Sequence, residues 1–141
     1  MIEIKLLTSS DAHYLSNVAE DVFDDPIVES SASEFLNDPG HRLVIALDDH
    51  IVVGFVSAVI YLHPDKPAPE LWINEVGVAP THQRQGIGKR LLQAALENAK
   101  QAGCTDAWVL TERTNEAAMA MYKSAGGDET LPDPTMFTFK L

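Results

Sequence analysis

Between a strand-like stretch ending at Val78 and a long helical run, the chain spells Gln83-Arg84-Gln85-Gly86-Ile87-Gly88-Lys89. By residue type this is an anion cradle. A helix start presents backbone N–H groups with no intrahelical acceptor together with the positive end of the macrodipole, and glycines let a phosphate approach the main chain. Arg84 and Lys89 add charge suited to a diphosphate. A bare Gly-x-Gly, taken alone, reads first as a device for tight packing of helix on sheet. Two other phosphate loops fit the spelling poorly. A nucleoside-triphosphatase loop needs Ser or Thr after its Gly-Lys and an earlier glycine, whereas Lys89 is followed by Arg90 and no earlier glycine is in place. A dinucleotide loop wants a third glycine where this chain has Leu91.

Acidic residues supply the other candidate chemistry. Alternation along Leu71 to Val78 puts Leu71, Ile73, Glu75 and Gly77 on one face, which makes Glu75 a carboxylate among apolar neighbours. Such a setting disfavours the charged form and strengthens a carboxylate as a base, while the plainer reading is a loop-facing carboxylate at a gap in the sheet. Glu112 follows a later strand and is the reserve. Asp21, Asp24, Asp25 and Glu29 cluster where two predicted helices meet, matching several ammonium groups on one substrate, with capping by Asp25 ahead of Pro26 as the structural alternative. His13, His41, His50, His63 and His82 lack ligand spacing, so no metal site is expected.

The elements that position these groups follow from periodicity. Residues 2–7 predict a strand, and Ser9-Ser10-Asp11 an N-cap before a helix over 11–22. Pro26 starts a short helical stretch towards Leu36, ended by Asp38-Pro39-Gly40. His41 to Leu47 and Ile51 to Leu62 form a hairpin about Asp48-Asp49-His50, with Gly54 marking a bulge. Ile87, Leu91, Leu92, Ala95, Leu96 and Ala99 recur at helical spacing up to Gly103, a left-handed C-terminal residue. A strand over 107–110, a helix over 115–124 and an alternating last strand over 136–141 complete the order.

Composition bounds the function. With 141 residues and 45% hydrophobic content the chain fits a single domain, residues 1–141, with a continuous core. A net charge of -11 disfavours a grip on nucleic acid. Cys104 is the lone cysteine, which excludes a disulfide framework and suits a reducing cytoplasm, and it reads as a small buried thiol. No signal peptide and no long apolar run is present, so a cytoplasmic protein with no membrane partner is expected.

Gln83-Arg84-Gln85-Gly86-Ile87-Gly88 matches the signature of the GNAT superfamily of N-acetyltransferases, and Asn115, Ala118, Met121 and Tyr122 stand at that family's Asn-x-x-Ala-x-x-apolar-Tyr spacing. The chain resembles this family over about half its length. The resemblance implies a mixed α+β fold, a mostly antiparallel twisted sheet of six to seven strands with about four helices. It implies acetyl-CoA as cofactor, with pyrophosphate on the amides of Gln83 to Lys89, the pantetheine arm along Val76, Gly77 and Val78, and Asn115 and Tyr122 near the thioester. Phe23-Asp24-Asp25 and the run from Asn74 to Ile87 look like the small aminoglycoside 3-N-acetyltransferases, which carry an acidic residue matching Glu75. Ala125-Gly126-Gly127 departs from the family's Leu-Gly-Phe and puts the packing there in doubt.

Acetyl transfer to an amine needs an uncharged nitrogen, so on this resemblance Glu75 is the general base and Tyr122 the acid for the departing thiolate. A backbone N–H at Val76 would polarise the thioester carbonyl. The acceptor expected on this resemblance is a small cationic amine, an aminoglycoside, met by Asp24, Asp25, Glu29 and Glu112. Other acceptors of the same chemistry are a polyamine, an amino acid or a protein N-terminus; a non-catalytic acyl-CoA-binding domain is the alternative outside enzymes. The resemblance also implies a homodimer.

Overall fold

The computed structural model describes residues 1–131 and 133–141. Its sheet runs β1 (Ile2–Leu6), β2 (His41–Asp48), β3 (Ile51–Tyr61), β4 (Glu70–Val78) and β5 (Asp106–Val109), in that spatial order. The first four strands form an antiparallel meander, and β5 joins β4 in parallel. Parallel neighbours need a crossover, which α2 (Ile87–Gln101) supplies. The helices α1 (Glu29–Asn37) and α3 (Glu116–Ser124) complete the order.

The β2–β3 hairpin turns on Asp49 and His50 alone, both at positive φ, 49° and 71°. Two left-handed residues make the turn whose twist matches the flanking strands. The predicted bulge falls beside Gly54, where Ala46 pairs with Gly54 and Leu47 with Val52, leaving Val53 as the extra residue. Helix α2 lies across β1 to β4 and presses Leu91, Leu92, Ala95 and Ala99 into a core of Val44, Ile45, Val52, Val56 and Leu71. Gly54 admits it: a Cβ there would stand 3.1 Å from Leu91 Cδ1. At the far end the Gly103 N–H donates to Lys100 O and the Cys104 N–H to Ala99 O, a Schellman closure in which Gly103, at φ 92°, is the left-handed residue that the sequence predicts. Cys104 packs against this core, and burial raises its thiol pKa, as suits a structural thiol.

Three expectations are corrected. The described sheet has five strands and three α-helices, where six to seven strands and about four helices were expected. Residues 11–22 give only the 3-10 turn Ala12–Ser16, because Val18 leaves to bridge Val52 in parallel, with the Ala19 N–H bonded to Val52 O. Residues 136–141 keep their alternation but form no ladder among the described residues, and without a ladder an alternating segment is not a strand. Every described residue from Gly126 onward is exposed, and among the described residues no strand pairs with the outer edge of β5.

On the face away from α2, the Trp72 and Trp108 rings stack with centroids 5.4 Å apart. The Trp108 Nε1–H donates to Tyr61 Oη at 2.6 Å, the Tyr61 hydroxyl donates to Glu70 Oε2 at 2.9 Å, and His63 Nε2 meets the same oxygen. His63 first, then Tyr61, holds the Glu70 carboxyl below its ordinary 4.5. A carboxyl that binds its proton more weakly in the folded chain stabilises the fold above that ordinary value, and the contribution fades as pH falls below it. Glu70→Gln is therefore expected to flatten the acid limb of Tm against pH below 4.5, which thermal melts across that range would show.

Candidate active site

Beyond Ile73 the strands part. The β4–β5 ladder covers only Glu70 to Ile73, whereas β4 stays paired with β3 up to Val78. Among the described residues the edge from Asn74 to Val78 on the β5 side therefore has no strand partner, and a notch opens beside the half-buried Val76, Gly77 and Val78. The chain then passes through the 3-10 turn Pro80–His82 into α2. His82 pins that turn, its Nε2 2.9 Å from Asp48 Oδ2 and its Nδ1 2.8 Å from Thr81 Oγ1, a brace with no sequence signal because its halves lie 34 residues apart.

The cradle residues divide their work. Arg84 at φ 62° and Gly86 at φ 78° curl the loop so that α2 begins at Ile87. No atom lies within 4 Å of a Cβ built on Gly86, leaving space over the first α2 amides, which have no intrahelical acceptor. Gly88 is a packing glycine: a Cβ there would stand 2.6 Å from Met121 Sδ, where α3 crosses α2. Gln83 donates through Nε2 to Val78 O at 3.1 Å, tying the loop to β4, and Ile87 buries its side chain. Gln85 is exposed. Arg84 and Lys89 make no ion pair among the described residues, so both remain available to an anion. The site thus offers an anion a main-chain cradle, two cations and open space, which fits a coenzyme diphosphate.

Glu75 does not share a face with Ile73. The register steps from Ala58↔Ile73 to Ser57↔Glu75, which leaves Asn74 as a bulged extra residue and turns Glu75 away from α2. Glu75 is exposed rather than set among apolar side chains; Asn74 Nδ2 donates to its Oε1 at 3.5 Å. It lines a depression of about 450 Å³ with Ser57, Asn74, Phe35 and the stacked Phe23 and Phe55 rings, 4.0 Å between centroids. Sequence reading missed Ser57 and Asn74, which only the register brings beside Glu75. Gly77 holds this wall close, because a Cβ there would stand 2.5 Å from Val22 O.

A second depression of about 800 Å³ adjoins the first and is lined by Asp21, Asp24, Asp25 and Glu29; Asp24 and Asp25 border both. The capping expected of Asp25 is absent: Val28 is the N-cap of α1, with no side-chain cap bond. Among the described residues none of the four carboxylates has a hydrogen-bond or ion-pair partner. Glu112 is exposed in the loop after β5 and borders neither depression. Tyr122 is half-buried on α3, and desolvation raises its phenol pKa, so it stays protonated at neutral pH. Asn115 caps α3, its Oδ1 accepting from the Ala118 N–H at 3.1 Å. Among the described residues no three His, Cys, Asp or Glu side chains group to hold a metal, and no helix is long and apolar enough to cross a membrane.

The acetyltransferase (GNAT) family model matches residues 8–126, a span holding the notch, the cradle and the tyrosine helix. The chain belongs to the GNAT family. GNAT enzymes of this kind are acyltransferases that use acetyl-CoA. N-alpha-acetyltransferase RimI of Mycobacterium tuberculosis is 32% identical over 127 residues, 89% of this chain and 77% of that protein. N-acetyltransferase 8 of Rattus norvegicus is 29% identical over 68% of this chain, which spans only 43% of that relative. Among solved structures, the aminoglycoside acetyltransferase meta-AAC0020 from an uncultured soil metagenomic sample, in complex with sisomicin, superposes with a TM-score of 0.82 over 99% of this chain and 97% of that one, at 20% identity. That likeness is one of fold.

Proposed function

We propose that this GNAT enzyme acetylates a primary amine of a small polycationic acceptor of the aminoglycoside class, with the 3-amino nitrogen as the reacting atom implied by the sequence resemblance. The observation that carries this reading is the run of unpaired carboxylates, Asp21, Asp24, Asp25 and Glu29, continuous with the depression that holds Glu75. A ring of ammonium groups satisfies several such carboxylates at once, and each charge-assisted contact fixes orientation as well as affinity.

Acetyl-CoA supplies the activated acyl group as a thioester. The amides from Gln85 to Lys89, with Arg84 and Lys89, hold the diphosphate, and the main chain of Val76 to Val78 in the notch aligns the pantetheine. Asn115 stands at the thioester end with its amide nitrogen free for contact. Glu75 takes a proton from the acceptor ammonium, so that the nitrogen lone pair attacks the acyl carbon as the carbon–sulfur bond breaks. The Val76 N–H steadies the charge that develops on the carbonyl oxygen. Tyr122 gives its phenolic proton to the departing sulfur.

Gly86→Val tests the cradle. A β-branched residue at φ 78° carries a strain of roughly 1–2 kcal/mol, and its side chain fills the open space over the α2 amides. Acetyl-CoA binding is expected to weaken by about tenfold or more with the fold retained, as calorimetry and circular dichroism would show together.

The 32% sequence identity to RimI favours a second reading, in which the acceptor is the α-amine of a peptide. Thiol release from acetyl-CoA, measured against gentamicin-type aminoglycosides, spermidine and peptides with a free N-terminus, separates the two. Turnover on aminoglycosides, with the acetyl group placed on the ring by NMR, supports the first; turnover on peptides alone removes it.

A further inference from the structure

We propose that the Ser57 hydroxyl is a second contact for the acceptor, accepting a hydrogen bond from the reacting amine while Glu75 meets the same nitrogen from the neighbouring strand. Strand β3 is apolar from Ile51 to Ile60 except at this residue. Ser57 is also the one buried polar side chain among the described residues, at 9% exposure. A hydroxyl in such a place is ordinarily hydrogen-bonded, because the water it gives up is otherwise not replaced. Among the described residues the Ser57 hydroxyl has no such partner. Nor is it sealed in, since no side-chain polar atom among the described residues is both fully enclosed and without a partner. The hydroxyl therefore keeps an opening, and that opening is the depression that Ser57 lines together with Glu75.

The register fixes what the hydroxyl faces. Ser57 pairs with Leu43 on β2 and with Glu75 on β4, so the three side chains leave the sheet on one side. Leu43 has no polar side-chain atom to offer. Directly opposed side chains start about 4.5–5.5 Å apart, which puts a nitrogen seated between Ser57 and Glu75 within hydrogen-bond reach of both. Phe55, two residues earlier on β3, and the Phe23 ring stacked on it wall this seat with apolar surface. In such surroundings a hydrogen bond to a charged group is stronger than in water.

A primary ammonium has three N–H donors. One points to Glu75 and a second to Ser57 Oγ, so the nitrogen is held at two points and its approach to the thioester is set by the sheet. Packing does not account for the hydroxyl. Alanine would fill nearly the same space and bury no polar atom, so the serine gives up some stability for what enters the depression. This inference rests on the reading of Glu75 as the carboxylate that meets the acceptor amine. It does not depend on whether that amine belongs to an aminoglycoside or a peptide.

Ser57→Ala, assayed on whichever amine the thiol-release panel shows to be turned over, is expected to lower kcat/KM for that amine by about 10–100-fold, the range for a hydrogen bond to a charged group. Its affinity for acetyl-CoA by calorimetry is expected to stay the same. Its Tm is expected to hold level or rise, because no bond within the chain is lost; a serine kept for the fold would give the reverse. Ser57→Thr keeps a hydroxyl on a side chain suited to a strand and is expected to recover most of the lost kcat/KM. An unchanged kcat/KM in Ser57→Ala overturns the proposal, as does a Ser57→Thr chain no faster than Ser57→Ala. Failure of the Glu75 reading is seen separately, as wild-type turnover in Glu75→Gln, and leaves the serine variants to report their own contact.

Discussion

Glu75→Gln is expected to lower kcat by about 10²–10⁴-fold, the range that a positioned base contributes, while the dissociation constant for acetyl-CoA stays unchanged. In activation free energy this is roughly 3–5 kcal/mol. Glutamine keeps the shape and hydrogen-bonding reach of the side chain and loses only the capacity to accept a proton. Because Glu75 is exposed in the cleft, the fold does not depend on it. Steady-state kinetics over about pH 6 to 9 decide the matter: wild-type turnover throughout would remove Glu75 as the base. A rise in KM with kcat intact would make it a binding carboxylate instead.

Leu91→Ala carries the largest expected effect on stability. Leu91 is fully buried where α2 crosses Gly54 of β3, so truncation leaves a cavity between rigid neighbours. Such substitutions cost about 2–5 kcal/mol. Against the 5–15 kcal/mol typical of a domain, that is a large share. A fall in Tm of roughly 5–15 °C is expected for a chain of this size. Urea titration measures the same loss as a lower midpoint at constant slope. A loss below about 1 kcal/mol would mean that α2 does not pack on the sheet as described. The same helix opens at the cradle proposed for the cofactor, so acetyl-CoA affinity is expected to fall with stability.

What was legible in the sequence is what depends on near neighbours. Helix α2, its Schellman closure at Gly103 and the cradle at Gly86 are set by residues within a turn or two of one another. The turn at Asp49 and His50 is likewise local. The side of the sheet that Glu75 faces is set by the count of residues paired across β3 and β4, which periodicity along one strand cannot reveal. Residues 11–22 hold a helix-compatible pattern that lost to the Val18–Val52 bridge, a contact over 34 positions. The last strand failed for a different reason: its alternating pattern is present, and among the described residues no strand pairs with it. Asp25 reads as a cap beside Pro26, yet α1 starts three residues later, which releases its carboxylate into the cleft.

The bulge at Asn74 gives β4 one place where a change of chain length is harmless. Excising Asn74 leaves Glu75 next to Ile73 and still opposite Ser57, so ordinary alternation keeps the carboxylate on the side away from α2. Excising Val76 from the regularly paired stretch beyond it instead exchanges the two faces, carrying either Glu75 or the main chain after it to the opposite side of the sheet. A scan of single-residue deletions along this strand should therefore spare the cleft at one position and destroy it at the next.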